Sequence, residues 1–189
     1  MSDPLALAER NGLPDALRVL AEQYPRADWE THHNFTALTR FWLDRHLMFR
    51  RGMAELVATN RALLEGTLAT DDAKYRLARV GQFMLQDLHG HHMIEDTQYF
   101  PVLMRQDNRL LRGFEMLDKD HHAIDAVLGQ FADGANGLLQ AQASGTIAAA
   151  EQFAATLEKF QTFLARHLED EEELVVPVLL EYAPSEFDH

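Results

Sequence analysis

Two segments of the chain repeat one pattern, in which a glutamate follows a histidine by four residues and a proline follows the glutamate by six. The pairs are His91 with Glu95 and His167 with Glu171. If both segments are helical, this spacing places each histidine and its glutamate on one helix face, one turn apart. An imidazole and a carboxylate so placed can bind one metal ion or two adjacent ions. The repeat therefore predicts half of a dinuclear metal site or more.

Four long helices are predicted to carry these side chains, because apolar residues recur with helical spacing and not with the two-residue alternation of strands. We expect helix A at about 33–64, helix B at about 73–104, helix C from the turn at 106–108 to about 139, and helix D at about 146–182. Short turns imply that neighbouring helices run antiparallel. The predicted fold is all-α, an up-down-up-down antiparallel four-helix bundle with a short helical N-terminal extension.

Composition sets further limits on domain number, partners and location. The 189 residues, 47% of them hydrophobic, suffice for one full core, and we assign 1–30 to the extension and 31–184 to the bundle. A net charge of −13 would repel nucleic acid and anionic membranes, so we expect neither as a partner. The absence of cysteine excludes disulfides and thiolate metal ligands. With no apolar segment of about 20 residues and no signal peptide, we predict a cytoplasmic protein.

Helical phase separates inward-facing from outward-facing histidines. On helix D, His167 and Glu171 lie within a stripe of apolar residues that steps by three and four. On helix B, a less regular apolar stripe includes His91, Glu95 and Val102. On helix C, His121 lies in the apolar stripe, whereas His122 shares its row with acidic residues. The acidic run at 169–173 is predicted to send only Glu171 inward, with its other members on a solvated face.

Distance from the turns gives the height of each inward histidine along the bundle. In an antiparallel hairpin, residues equidistant from the turn lie level. At about 1.5 Å per residue, one histidine from each helix lies within roughly 3 Å of a common level. These histidines are His46, His91, His121 and His167. Two glutamates join them, and so many buried polar groups would be costly without a cation.

The predicted ligand types narrow the choice of metal and of chemistry. Imidazole and carboxylate without thiolate suit iron, manganese, zinc or copper. A zinc site usually needs about three or four protein ligands, whereas six or more ligands from four helices fit two ions bridged by two carboxylates. Neutral imidazoles leave more positive charge on the metals than carboxylates would, which favours the lower oxidation state. We therefore expect binding of a small diatomic ligand at an open position, and not hydroxylation of a substrate.

At residues 40–182 the sequence resembles the hemerythrin-like, or HHE cation-binding, family. The matching features are a core histidine on helix A, the doubled histidine-glutamate-proline motif, and an Asp-His-x-x-Ile-Asp motif between its two copies. In this chain they are His46, His91-x-x-x-Glu95 with Phe100-Pro101, Asp120 to Asp125, and His167-x-x-x-Glu171 with Pro177. The resemblance implies a non-heme centre of two iron ions bridged by Glu95 and Glu171. It also implies dioxygen binding or an iron- or redox-linked role.

One position departs from the family's oxygen carriers, which have a second histidine four residues after the one on the third helix. Asp125 stands there in this chain. We assign His92 as the further ligand, and the alternative is a solvated histidine paired with Asp96. The predicted metal ligands are His46, His91, His92, Glu95, His121, His167 and Glu171.

Three functions are compatible with this site. The first, which we favour, is non-catalytic binding or sensing of dioxygen or another small diatomic ligand. The second is a di-iron enzyme of peroxidase-like, nitric-oxide-handling or iron-oxidising activity. The third is iron storage or delivery, or an interaction module stabilised by its metal. We assign no catalytic residue, and the sequence indicates no specific protein partner.

Overall fold

The computed structural model describes residues 3–187, and within this range every regular element is helical. The α-helices there are α1 Val19–Gln23, α2 Ala37–Leu64, α3 Thr70–Ile94, α4 Phe100–Leu103, α5 Leu111–Gln140 and α6 Thr146–Tyr182. Short 3-10 helices occur at Asp15–Leu17, Arg26–Thr31, Asn108–Leu110, Ala143–Gly145 and Ser185–Phe187. The all-helical prediction is confirmed, and the up-down-up-down order stays a prediction. None of the described helices is long and apolar enough to cross a bilayer.

Helix α2 shows how local sequence sets the ends of a long helix. It begins at Ala37, later than predicted, because Thr36 is its N-cap and accepts a hydrogen bond from the Thr39 N–H at 3.3 Å. It ends at Leu64, and Gly66 follows with a φ of 68°. The backbone N–H groups of the two residues after the C-cap donate back to the last turn, which is the Schellman arrangement that glycine permits.

Predicted helix B contains a π-helical turn at Glu95–Tyr99, between α3 and α4. The backbone N–H of Phe100 donates to the carbonyl of Glu95, five residues earlier. Pro101 has no N–H, so it cannot make the hydrogen bond that a regular α-helix would require there. The wider turn therefore lies beside a proline and includes one of the predicted metal ligands, and π-turns are frequent at functional sites.

The π-turn changes which side chains are buried after Glu95. A regular helix would place Val102 in the apolar stripe, as the sequence predicted, but Val102 is only partly buried. Phe100 and Leu103 are buried instead. Each extra residue in a turn rotates the following side chains by about 100°, which accounts for the shift of the apolar face. The prediction for Val102 was wrong for this reason.

The chain divides into two compact units, and the first comprises the described parts of Met1–His46, His92–His122 and Ala165–His189. Its apolar core includes Leu17, Trp29, Trp42, Phe100, Leu110, Phe114, Leu174 and Val178. It also buries many ionisable side chains, among them Arg10, His46, His92, Glu95, Asp120, His121, His167, Asp170, Glu171 and Glu172. The predicted boundary at residue 30 stays a prediction, and residues 1 and 2 lie outside the described residues.

The second unit comprises Leu47–His91 and Ala123–Leu164. Its core is built from aromatic and aliphatic side chains, and the Phe131 ring lies 5.5 Å from that of Phe153 and 5.4 Å from that of Phe160. Within this part of the described chain, no aspartate, glutamate, lysine or arginine is buried. The ionisable interior of the protein therefore belongs almost wholly to the first unit.

Candidate metal centre

Helix α6 supplies the most regular part of the centre. His167 and Glu171 lie one turn apart, and both side chains are fully buried. The distance from His167 Nε2 to Glu171 Oε2 is 3.4 Å. His46 of α2 approaches the same carboxylate, with its Nε2 3.4 Å from Glu171 Oε2. One buried carboxylate thus faces two imidazoles from two helices.

The second glutamate, Glu95, begins the π-turn and is also fully buried. The indole N–H of Trp42 donates to Glu95 Oε1 at 2.6 Å. The other oxygen, Oε2, lies 3.7 Å from His121 Nε2. Burial, together with the nearby charge of Glu95, raises the pKa of Glu171 well above its ordinary value. Two carboxylates that are both fully buried and close together, as Glu95 and Glu171 are, need a cation or a shared proton between them.

Three buried histidines form a first donor group, in which ligand atoms of His92, His121 and His167 all lie within 4.8 Å of one another. The His92 ring stacks on that of His121, with centroids 4.0 Å apart and planes 8° apart. It meets the His167 ring edge-on at 5.2 Å. His92 is 3% exposed, so it lies inside the cluster and not in a solvated row.

The second donor group consists of His46, His91, Glu95 and Glu171, again with ligand atoms within 4.8 Å of one another. His91 also packs against Phe49, with ring centroids 5.2 Å apart. Consecutive helical residues point about 100° apart, so His91 and His92 take different directions and belong to different groups. The two groups together contain the seven predicted ligands, and their binding of metal stays a prediction.

A second carboxylate lies behind each of three core histidines, at the ring nitrogen that points away from the two glutamates. Such partners fix the tautomer and the ring orientation of metal-binding histidines. The Nδ1-to-oxygen distances are 2.7 Å for His121 to Asp96, 3.0 Å for His46 to Glu172, and 3.4 Å for His167 to Asp120. In each case Nε2 is the nitrogen left to face the donor groups.

Protonation states at His167 suit metal binding. Burial lowers the pKa of His167 to about 4, so its imidazole is neutral at physiological pH. Although burial opposes ionisation of Asp120, hydrogen bonds from His167 and Arg10 hold the pKa of this carboxyl below its ordinary value. A neutral imidazole backed by an ionised carboxylate is the form in which histidine binds metals.

Several buried atoms have no hydrogen-bond partner among the described residues. Four of them are Nε2 of His121, Nε2 of His167 and both carboxylate oxygens of Glu171. A buried polar atom without a partner costs about 1–3 kcal/mol, and more when it is charged. All four atoms point into one cluster, and a cation bound there would satisfy them together. The residues present therefore fit a metal-binding site.

Comparison with protein families gives a match to the hemerythrin HHE cation binding domain over residues 37–179. The chain belongs to this family. Searches among curated proteins and among solved structures gave no match. This hemerythrin-like domain is thus a helical, cation-binding type of domain, and its histidine–glutamate groups could hold metal ions.

The remaining histidines of the described hemerythrin-like domain lie outside the cluster. His122 is exposed, and its Nδ1 lies 2.8 Å from the carbonyl of Asp118 in its own helix, as the helical phase predicted. His89 is exposed, and its Nδ1 lies 3.3 Å from Oδ1 of Asp125. His32 and His33 contact each other before α2 begins, with ring centroids 4.4 Å apart.

The prediction that only Glu171 of the acidic run faces inward was wrong. Asp170 and Glu172 are 0% and 1% exposed, and only the ends of the run reach solvent. Their carboxylates are held by arginines, with Arg10 Nε 2.7 Å from Asp170 and Arg26 Nη1 2.5 Å from Glu172. The signal was available in part, since the five residues that follow the run, Leu174 to Val178, are all apolar and leave no polar face on the next turn of α6.

Proposed function

We propose that the domain holds two iron ions bridged by Glu95 and Glu171 and binds dioxygen or a related small diatomic ligand without transforming it. The observation that carries the proposal is the pair of donor groups, one of three imidazoles and one of two imidazoles and two carboxylates. Two ferrous ions, when bound, supply the electrons and the open coordination position that reversible dioxygen binding needs.

The positions of the two glutamates support a bridging role. Glu171 Oε2 lies 3.4 Å from His167 Nε2, in the three-histidine group, and 3.4 Å from His46 Nε2, in the other group. Glu95 is a member of the second group, and its Oε2 lies 3.7 Å from His121 Nε2 of the first. Carboxylates that reach donors of both groups can hold two ions at a fixed separation.

A small apolar cavity supports a small, uncharged ligand. Its volume is about 20 Å³, and Glu95 is the only carboxylate among the residues that line it. About 10–15 Å³ suffices for one water-sized molecule, so a cavity of this volume suits dioxygen or nitric oxide. The lining residues are Leu38, Trp42, Glu95, Tyr99, Phe100, Leu103, Val175, Leu179 and Phe187.

The cavity adjoins the donor group that has fewer histidines. Trp42 lines the cavity, and its ring lies 4.1 Å from that of His46. If both glutamates are shared by the two ions, the ion held by two imidazoles has one protein ligand fewer than the ion held by three, and it has a coordination position free for an incoming ligand. The walls of the cavity are mostly apolar, which favours a neutral diatomic molecule over an ion at that position.

Optical spectra test the proposal. The iron-loaded protein, reduced without oxygen and then exposed to air, should develop charge-transfer absorption that disappears when oxygen is removed. Repeated cycles should return the same two spectra. Irreversible oxidation on first exposure would contradict reversible binding, and rapid turnover of added peroxide or nitric oxide would favour the enzyme alternative. Retention of many more than two irons per chain would favour storage.

A further inference from the structure

The N-terminal segment, residues 3–36, precedes the part of the chain that matches the family. It nevertheless buries an arginine beneath the metal centre. Arg10 is 8% exposed, and its guanidinium makes two hydrogen bonds to Asp120, one of them from Nη1 to Oδ1 at 2.8 Å. A third bond runs from Nε to Asp170 at 2.7 Å. The bidentate pair of hydrogen bonds from Arg10 to Asp120 fixes the plane of the Asp120 carboxylate.

Asp120 connects Arg10 to a predicted metal ligand. Its Oδ2, which receives one bond from Arg10, also lies 3.4 Å from Nδ1 of His167. The orientation of the His167 ring thus depends on a carboxylate whose own orientation is set by Arg10. A series of contacts therefore runs from the N-terminal segment to the predicted metal site, from the Arg10 guanidinium through the Asp120 carboxylate to the His167 imidazole.

A second arginine of the same segment repeats this order. Arg26 Nη1 lies 2.5 Å from Glu172 Oε2. The other oxygen of Glu172, Oε1, lies 3.0 Å from Nδ1 of His46. His167 and His46 are the two imidazoles that face Glu171, so both arginine–carboxylate–histidine series end at the same bridging glutamate.

We propose that the N-terminal segment is part of the metal centre, with Arg10 and Arg26 as positioning residues for His167 and His46. The proposal rests on the metal site of the proposed function. Without Arg10, the buried Asp120 carboxylate would lose the two hydrogen bonds that fix its plane, and His167 would lose its oriented acceptor. Outer partners of metal-binding histidines typically change metal affinity about 10–100-fold when removed.

Arg18 provides a matched control within the same segment. Its Nη1 lies 2.8 Å from Oε2 of Glu173, so it also ties the segment to α6. No histidine among the described residues contacts Glu173. Arg18→Met therefore removes an ion pair between the N-terminal segment and α6 but leaves both arginine–carboxylate–histidine series intact.

The experiment is a titration of the metal-free full chain with cobalt(II), which reports binding through its visible absorption. Arg10→Met should weaken binding of at least one ion about tenfold and change the shape of the cobalt spectrum. The Arg26 side chain is 52% exposed, so Arg26→Met should have a smaller effect and weaken cobalt binding severalfold. Arg18→Met should bind both ions as the unchanged chain does. Melting temperatures of the metal-free variants separate these effects from general loss of stability.

A double variant tests the route from Arg10 to the metal. Asp120→Asn alone should weaken cobalt binding about as much as Arg10→Met, and the two changes together should add little. If Arg10→Met does not fold, Asp120→Asn and Arg26→Met still decide the question. The proposal is overturned if both arginine variants bind cobalt as the unchanged chain does, or if Arg18→Met weakens binding equally. Failure of the unchanged chain to bind cobalt would instead overturn the proposed function.

Discussion

The two units of this chain have opposite interiors. The second unit packs phenyl rings and aliphatic side chains and buries no charged residue among those described. The first buries six carboxylates: Glu95, Asp107, Asp120, Asp170, Glu171 and Glu172. Burial of charge costs stability unless opposite charge and hydrogen bonds offset it. The comparison indicates that the second unit has an almost wholly apolar interior, whereas the first contains all of the proposed metal ligands except His91.

Within the first unit, the carboxylates differ in how their charge is offset. Asp120, Asp170 and Glu172 face arginines. Glu171 has neither an arginine nor a hydrogen bond to its oxygens among the described residues, and its pKa is raised by burial. Arginines thus offset the charge of the outer carboxylates, and the proposed metal ions would offset that of Glu171.

Replacing Glu171 should have the largest effect. Glu171→Leu removes a carboxylate that faces imidazoles of both donor groups, so we expect loss of both ions. The melting temperature of the metal-free protein should not fall, because an apolar side chain of similar size replaces an unpaired buried carboxyl. Elemental analysis and calorimetry check the two parts. Retention of two ions would show that Glu171 is not a bridge.

His121 and His122 form a matched pair on α5. His121→Ala removes a buried member of the three-histidine group, so iron loading should fall by about half or more. His122→Ala changes an exposed side chain and should leave the iron content unchanged. The free energy of unfolding should stay within about 0.5 kcal/mol of the original. Iron content per chain, measured side by side, checks the pair. The reverse result would mean that α5 is rotated by one residue.

Phe160 tests the second unit alone. Its ring is fully buried against Phe131, so Phe160→Ala should destabilise the protein by about 3–5 kcal/mol. The number of ions bound by the folded protein should stay unchanged. Denaturant unfolding and elemental analysis on the same sample measure both quantities. Loss of metal from protein that is still folded would break the distinction between the units.

The smallest effect is expected at Gly66, in the turn after α2. Its φ of 68° lies in the left-handed region, and a Cβ there would have open space around it. Gly66→Ala should therefore cost only the backbone strain, about 1 kcal/mol, with no change in metal content. Denaturant unfolding measures the difference. A cost of several kcal/mol would indicate a packing role that the structure does not show.

The sequence predicted the long helices well where several signals agreed. The ends of α6 lie where they were predicted, because the loop before it and the apolar stripe within it agree. The sequence did not predict the π-turn at Glu95–Tyr99. One extra residue in a turn shifts the apolar positions by only one place, and apolar residues within a helix depart from ideal spacing by as much. The consequence was the wrong assignment of Val102.

The inner ligands were more predictable than the residues behind them. His46, His121 and His167 could be found from helical phase and height along each helix. Arg10 and Arg26 could not, because their partners lie more than a hundred residues away along the chain. Asp170 and Glu172 were assigned to solvent for the same reason, since a buried acid is expected only once its distant partner is known.

The most direct test of the central claim is a metal count on protein produced with ample iron. The account predicts two iron ions per chain, held by the two donor groups of His46, His91, His92, Glu95, His121, His167 and Glu171. Removal of the iron with a chelator should lower the melting temperature, because the buried imidazoles and carboxylates lose their cations. A single zinc ion without iron, or full stability with no metal at all, would contradict the account.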